Sequence, residues 1–191
     1  MADGSLAAAV RALHRGGLVA YPTDTLLGLA ASATRAAAVE RLAAVKRRPA
    51  GQPISVAVSS TEELEPLAEL SEAGRRFVRR QLPGPYTVLL RTRPGALAPS
   101  LFAPDGTIGL RVPDHPVARE LARRAGPITA TSANRHGAPS PGTMPALRKE
   151  FGAEIQVYLD GGPEPSGLPS TLVDLTGAGP KVRPRTRSGG R

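Results

Sequence analysis

Short apolar runs alternate along this chain with segments whose apolar residues recur at helical spacing, and this alternation constrains the fold more than any other feature. Leu6, Val10 and Leu13 fall on one face of a helix that two glycines end. The apolar run 18–21 follows at once and is typical of a strand. Alternation of this kind along a whole chain predicts an α/β domain with a single open, twisted mixed sheet flanked by helices.

The same alternation continues to about residue 175. Helices are predicted over residues 35–46, 60–70, 71–81 and 116–124, supported by Thr34, the pair Ser60 and Glu63, Ser71 and Pro116 at their starts. Strands are predicted over residues 54–58, 86–91, 107–112, 128–131, 155–159 and 171–175. No repeat or break in composition divides the chain before about residue 177. We therefore expect one domain over residues 1–179 and a basic, flexible tail over 180–191.

The composition excludes several classes of function. The chain has 191 residues and no cysteine, which excludes zinc ribbons, iron–sulfur clusters and thiolate nucleophiles. The longest run without a charged residue, 49–61, is too short and too polar to cross a membrane. The N-terminus lacks the pattern of a signal peptide. We therefore expect a cytoplasmic protein without a membrane partner.

The net charge of +9 is a weak argument for nucleic-acid binding, because it is unevenly distributed. Five of the 25 basic residues lie in residues 180–191, which contain no acidic residue. The body of the chain is therefore only mildly basic. All but three of the basic residues are arginine, which suits bidentate contacts to phosphate and carboxylate.

The motifs of several large enzyme classes are absent from the sequence. No lysine completes a P-loop, no Gly-x-Gly-x-x-Gly follows a strand, and no Gly-x-Ser-x-Gly elbow occurs. His14, His115 and His136 are far apart in the sequence and lack metal-ligand spacing. The sequence therefore identifies no metal ligand.

Four polar segments beside predicted strands remain as candidates for a binding site. Residues 21–29 place hydroxyls and one carboxylate at a strand end. This pattern is typical of a turn in which Thr23 and Asp24 bond to their own backbone, or of a substrate-facing loop, and spacing alone favours the turn. Residues 46–53 begin with three cations at the end of a helix. These cations either complement the helix dipole, which is the more common case, or grip a polyanion such as a triphosphate.

The third segment is the strand 107–112. Thr107, Gly109 and Arg111 share one face of it. This face either lies in solvent at the edge of the sheet or leaves room for a ligand. The sequence supports these two interpretations equally.

The fourth segment, 129–137, passes from an apolar strand into hydroxyl and amide side chains. Ser132 and Asn134 could cap a helix or form a turn. They could also bind a base edge, a ribose, a phosphate or a carboxylate. Four polar residues within six weaken the interpretation as a simple cap.

Taken in order, these segments resemble the YrdC-like family, the L-threonylcarbamoyladenylate synthases. The motifs that carry the resemblance are Pro22–Leu29, Lys46–Pro49, Pro83–Thr87, Arg111–Pro113, Ser132–Asn134, Ser170–Asp174 and Arg183. Each motif is short, but their joint order and spacing extend over nearly the whole chain.

The resemblance implies the YrdC-like fold, with residues 1–179 as the catalytic domain, and a nucleotidyltransferase activity. The reaction would condense L-threonine, bicarbonate and ATP to threonylcarbamoyl-AMP and pyrophosphate, for N6-threonylcarbamoyladenosine modification of tRNA. Mg²⁺ is expected to accompany ATP. A threonylcarbamoyl transferase complex is expected as a partner, and contact with tRNA or duplex RNA is possible.

The same resemblance assigns site residues in two groups. ATP would contact Lys46, Arg48, Gln52, Thr107, Asn134 and Arg183. L-Threonine would contact Thr25, Arg111, Ser132 and Ser170, with Arg111 as the partner of its carboxylate. Lys46 and Arg48 are expected to be catalytic, because release of pyrophosphate requires its charge to be neutralised.

The sequence departs from the family pattern at a few positions. Leu27 stands where a tyrosine is common, Gln52 where an asparagine is common, and Ala57 where a histidine often faces the threonine. After the late arginine, Pro184 is followed by arginine instead of glycine. A diverged paralogue that uses another amine is therefore an alternative.

An RNA-binding module of the same fold is a second alternative. Its surface could include Arg75, Arg76, Arg79, Arg80, Arg123 and Arg124, which also read as ordinary solvated helix faces. Three phenylalanines, three tyrosines and no tryptophan provide few platforms on which bases could stack.

Overall fold

The chain folds into a mixed sheet with helices on both faces, and the computed structural model describes residues 5–95 and 97–184. Its strands are β1 (Val19–Tyr21), β2 (Gly28–Ala30), β3 (Ser55–Ala57), β4 (Ala68–Glu69), β5 (Tyr86–Thr92), β6 (Thr107–Arg111), β7 (Ile128–Ser132), β8 (Val157–Tyr158), β9 (Thr171–Asp174) and β10 (Lys181–Arg183). Its helices are α1 (Leu6–His14), α2 (Ala36–Val45), α3 (Glu72–Gln81), α4 (Pro116–Ala125) and α5 (Met144–Phe151). The predicted α/β class is confirmed.

The strands lie in the order β10-β9-β5-β6-β3-β7-β2-β1-β8, and β4 pairs with β5. The pairs β1–β8, β3–β6 and β5–β9 are parallel. The pairs β1–β2, β2–β7, β3–β7, β4–β5, β5–β6 and β9–β10 are antiparallel. The sheet is therefore mixed, as the sequence predicts.

Neighbouring residues of the strands contribute to two different hydrophobic cores, one on each face of the sheet. Ala20 packs in the first core with residues of α2, α3 and α5, whereas Val19 and Tyr21 pack in the second with residues of α1 and α4. This alternation follows from the period of two residues along a strand. In β3, Ala57 lies in the second core under α4, and Ser55 continues the same face beyond it into an open cavity.

The prediction of a helix over residues 60–70 is wrong. This region forms a short 3-10 turn, Thr61–Glu63, followed by β4. The side chain of Ser60 makes no capping hydrogen bond, and the Glu63 carboxylate accepts one from the Ser59 hydroxyl instead. Pro66 explains the failure, because a proline inside a helix removes a backbone donor and clashes with the preceding turn.

Besides β4, two strands and one helix were not predicted from the sequence. β2 follows a turn inside the polar segment 21–29, and α5 has a local signal in the cap of Thr143. β10 pairs with β9 in antiparallel register, so the sheet includes residues 181–183 of the segment expected to be a tail. The remainder of that segment, from residue 185 onward, lies outside the described residues. None of the helices in the described parts of the chain is long and apolar enough to span a bilayer.

Candidate active site

The open part of the second face of the sheet forms a cavity of about 580 Å³. Among the described residues its lining includes the cationic side chains of Lys46, Arg48 and Arg111 and the imidazole of His136, but no carboxylate. Hydroxyl groups of the lining belong to Tyr21, Thr23, Thr25, Ser55, Thr87, Thr107, Thr131, Ser132 and Ser170. Positive charge with many hydroxyls suits an anionic, polar ligand.

The cavity brings together the residues that the resemblance assigned to ATP and threonine, with the exception of Arg183. Arg183 lies in a smaller cavity of about 340 Å³, which shares Leu89, Thr107 and Leu172 with the larger one. Its guanidinium donates to Asp174, with 2.5 Å between Nη2 and Oδ2. Burial would raise the pKa of Asp174, but hydrogen bonds from Thr176 and Arg183 outweigh it and lower the pKa to about 2.

Strand β6 presents Thr107, Gly109 and Arg111 to the cavity, and Ile108 and Leu110 to the first core. The predicted alternation is therefore confirmed. β6 lies between β5 and β3, so the interpretation as a solvated edge strand is wrong.

Arg111 is held by two partners on the segment 21–29. Its Nη2 donates to Asp24 Oδ1 at 2.6 Å and its Nη1 donates to Thr25 Oγ1 at 3.1 Å. The side chains of Arg111 and Asp24 are only 9% and 12% exposed. Since Asp24 does not itself line the cavity, it fixes Arg111 from behind and leaves the cavity side of the guanidinium for a ligand.

The segment 21–29 forms the turn that its spacing favours and also faces the cavity. Thr23 Oγ1 donates to Leu26 O at 2.7 Å and accepts from Thr25 N at 3.1 Å, so the turn prediction is correct for Thr23. It is wrong for Asp24, whose carboxylate binds Arg111 instead of its own backbone. Sequence reasoning missed this partner, because the two residues are 87 positions apart.

The cations of the segment 46–53 lie just beyond the end of α2. The chain reverses there through Arg47, which has a positive φ of 51°. The amide of Arg48 donates back to Ala43 O and that of Arg47 to Ala44 O, a closing motif in which glycine is the usual residue. The reversal turns the side chains of Lys46 and Arg48 into the cavity.

Lys46 and Arg48 differ in their surroundings. Arg48 donates to Pro53 O at 2.7 Å and to Gln52 O at 3.4 Å, both within its own loop. Lys46 is 2% exposed. Burial and then the positive charge of Arg48 lower the pKa of Lys46 to about 7.

The segment after β7 forms a turn and not a helix cap, since the next helix, α5, begins at Met144. Ser132 Oγ donates to Asn134 Oδ1 at 2.5 Å, and Asn134 Nδ2 donates to Arg135 O and Ala138 O. These bonds fix the orientation of two side chains that line the cavity.

The floor of the cavity depends on Gly109. A Cβ atom at this position would lie 2.5 Å from Ser55 Oγ and 3.1 Å from Thr87 Cγ2. Thr87 Oγ1 lies 2.8 Å from Ser170 Oγ, within hydrogen-bond distance. Ser55 and Thr87 were not predicted as site residues, although both lie on predicted strands next to β6.

The positions that depart from the family pattern fall in different places. Leu27 and Gln52 line the cavity. Ala57 is the direct cross-strand neighbour of Arg111, but its methyl group is buried in the second core and does not line the cavity.

The arginines of the alternative RNA surface lie on two helices that pack against different cores. Arg75, Arg76 and Arg79 form ion pairs with Glu72 of α3. Arg123 and Arg124 pair with Glu120 of α4. Because α3 and α4 cover opposite faces of the sheet, these arginines do not form one continuous basic surface.

The described residues also do not form a dedicated metal site. They contain no cluster of three or more His, Cys, Asp or Glu side chains that could hold a metal ion. Mg²⁺ prefers carboxylate and phosphate oxygens, and in this part of the chain no carboxylate lines the larger cavity. The residues present therefore do not fit a Mg²⁺ ion held by the protein alone.

An open α/β sheet with a cationic, hydroxyl-lined cavity on one face defines a protein that binds anionic, polar ligands. The family model of Sua5, YciO and YrdC, described as "Telomere recombination", matches residues 11–186. The chain belongs to this family, and the resemblance seen in the sequence is confirmed.

Several relatives are similar over most of the chain. A putative threonylcarbamoyl-AMP synthase of Mycobacterium tuberculosis is 39% identical over 93% of this chain and 82% of its own length. The threonylcarbamoyl-AMP synthase of Bacillus subtilis is 36% identical over 90% of this chain and 50% of its own length. The crystal structure of P. abyssi Sua5 complexed with L-threonine has a TM-score of 0.87 and 35% identity, covering 93% of this chain and 52% of that one. The chain thus spans about half the length of the last two proteins.

Proposed function

We propose that this chain is a threonylcarbamoyl-AMP synthase, which condenses L-threonine, bicarbonate and ATP to threonylcarbamoyl-AMP and pyrophosphate. The observation that carries the proposal is that one cavity holds a braced arginine at one side and two further cations at the other. Such an arrangement suits a small carboxylate and a triphosphate that must react with each other. Relatives with this name and a relative solved with L-threonine support the assignment.

Arg111 binds the carboxylate of threonine in this proposal, since a guanidinium offers a planar pair of donors. Thr25, Ser132 and Ser170 contact the rest of the amino acid. Carboxylation of the amine by bicarbonate gives a carbamate and water. A carbamate oxygen then forms a bond to the α-phosphorus of ATP, and the bond from that phosphorus to the pyrophosphate oxygen breaks.

Lys46 and Arg48 neutralise the charge that develops on the leaving pyrophosphate, and this makes them the catalytic residues. Gln52, Thr107 and Asn134 contact the nucleotide, and Arg183 reaches it from the adjoining cavity. The carbamate is itself the nucleophile, so catalysis consists of positioning and electrostatic stabilisation. Mg²⁺ would arrive bound to ATP, and no step is assigned to it.

The product is a mixed anhydride that must be consumed by a second activity. We propose that a threonylcarbamoyl transferase complex receives it and modifies adenosine in tRNA. Any contact of this chain with tRNA would occur during that transfer, in the cytoplasm.

Release of pyrophosphate from ATP and bicarbonate tests the proposal, with L-threonine, L-serine or no amino acid present. Threonine-dependent release is expected from the wild type. An Arg111→Met variant should show none, and Arg91→Met, an exposed arginine on the neighbouring strand, should behave as the wild type. Release that depends on another amine alone would favour the diverged paralogue. An absence of release from a protein that still binds ATP would contradict the assignment.

A further inference from the structure

The end of α2 is fastened to the turn of residues 132–138 by four hydrogen bonds. Lys46 makes three of them: its Nζ donates to Ser132 O and to Asn134 O, the latter at 2.7 Å, and its carbonyl accepts from His136 N at 2.7 Å. The guanidinium of Arg135 makes the fourth, to Val45 O. The side chain of Lys46 therefore already has a structural partner before any ligand enters.

The two acceptors of the Lys46 ammonium belong to residues with different expected ligands. Ser132 is assigned to the amino acid and Asn134 to the nucleotide, and their side chains are hydrogen-bonded to each other. An ammonium has three donors. Two are used on the turn, and one is left for a phosphate oxygen.

We infer that Lys46 is a positioning residue for the amino-acid side of the cavity, in addition to its contact with the triphosphate. This inference rests on the proposed function. By holding the carbonyls of Ser132 and Asn134, Lys46 sets the turn that presents the Ser132 hydroxyl to threonine. Loss of the side chain leaves two half-buried carbonyl groups without their donor and releases the turn, because a hydrogen bond from a charged group stabilises it more than one from water.

Arg48 provides the contrast within the same loop. Its guanidinium donates only to the carbonyls of Gln52 and Pro53 among the described residues, and neither belongs to the turn. A role limited to phosphate binding is therefore expected for Arg48, whereas Lys46 acts on both substrates.

The test is calorimetric binding of L-threonine to the full chain in the absence of any nucleotide. Lys46→Met should weaken threonine binding about tenfold, because it removes both side-chain bonds to the turn. Arg48→Ala and the matched control Arg41→Met, an exposed arginine of α2, should stay within about twofold of the wild type. Thermal unfolding verifies that each variant is folded.

Lys46→Ala serves as a second variant where Lys46→Met does not fold, since it also removes both side-chain donors and leaves space for water. Weakened threonine binding in either folded variant supports the positioning role. Threonine affinity equal to that of the wild type in every folded Lys46 variant would overturn it and leave Lys46 as a phosphate contact. A wild-type protein that binds ATP but neither binds threonine nor releases pyrophosphate with it would instead refute the proposed function, and with it this inference.

Discussion

The two cationic sides of the cavity are built in different ways. Arg111 projects from an interior strand, and a largely buried carboxylate and a hydroxyl hold its guanidinium. Lys46 and Arg48 follow the end of a helix, and their side chains donate to backbone carbonyls. The first arrangement fixes direction and offsets part of the charge with a carboxylate, whereas the second holds its side chains with neutral carbonyls. An amino acid needs the former for orientation, and a triphosphate needs the latter for neutralisation.

The strongest test of this difference is Arg111→Met. It leaves Asp24, whose side chain is only 12% exposed, without its cation, so the free energy of unfolding should fall by about 3 kcal/mol. Threonine binding should be lost as well, while ATP affinity stays within about twofold. Urea unfolding and calorimetry measure the two effects. Unchanged stability would show that Asp24 does not depend on Arg111.

Arg48→Ala should produce the opposite pattern. ATP affinity should fall about thirtyfold, because a charged hydrogen bond to phosphate is removed. Stability should change little, since the carbonyls that Arg48 holds lie in a partly exposed loop and can accept from water instead. Calorimetry of the variant beside Arg41→Ala, an exposed change on α2, provides the comparison. An ATP affinity equal to that of the wild type in Arg48→Ala would show that Arg48 does not bind the phosphates.

The pH dependence of ATP binding probes Lys46. Burial and Arg48 lower its pKa to about 7; Arg135 also lowers it, while Glu150 raises it. Above that value the Lys46 amine is mostly neutral in the free protein. ATP binding must then be coupled to the uptake of a proton before Lys46 carries its positive charge. ATP affinity should therefore fall about tenfold between pH 7 and pH 8.5. The same titration of Lys46→Met should be nearly flat, and an equal slope in both proteins would contradict the assignment.

The smallest effect is expected at Arg47, whose backbone is left-handed at the end of α2. Arg47→Gly should raise the free energy of unfolding by about 1 kcal/mol, because glycine adopts this conformation without a steric penalty. Chemical unfolding measures the change, and ATP affinity should be unaltered. Lower stability would mean that the arginine side chain makes a contact that outweighs the strain.

The two sides of the cavity also differ in how far the sequence predicts them. The period of two residues in β6 identifies which side chains face the ligand, because Ile108 and Leu110 must enter the core. The carboxylate that braces Arg111 could not be found in this way, since it comes from a turn far away in the chain. Local turn chemistry at Asp24 even predicts a different partner.

The side of the cavity formed by Lys46 and Arg48 shows the same limit of prediction from the sequence. Three cations at a helix end are visible in the sequence, but their separate partners are not, because Lys46 meets a turn 86 residues away. The helix predicted over residues 60–70 failed for a local reason, since Pro66 outweighs a capping-box pattern.

The missing side chain at Gly109 has an evolutionary consequence. A side chain at position 109 requires its neighbours on the floor to move, because a Cβ atom there would lie 2.5 Å from Ser55 Oγ, 3.1 Å from Thr87 Cγ2 and 3.2 Å from Ser55 Cβ. A shallower cavity, and with it a preference for a smaller substrate, is thus reached more readily through a paired change in which position 55 loses its oxygen. Ser55→Ala removes the closest contact, whereas Gly109→Ala alone must displace the Ser55 hydroxyl.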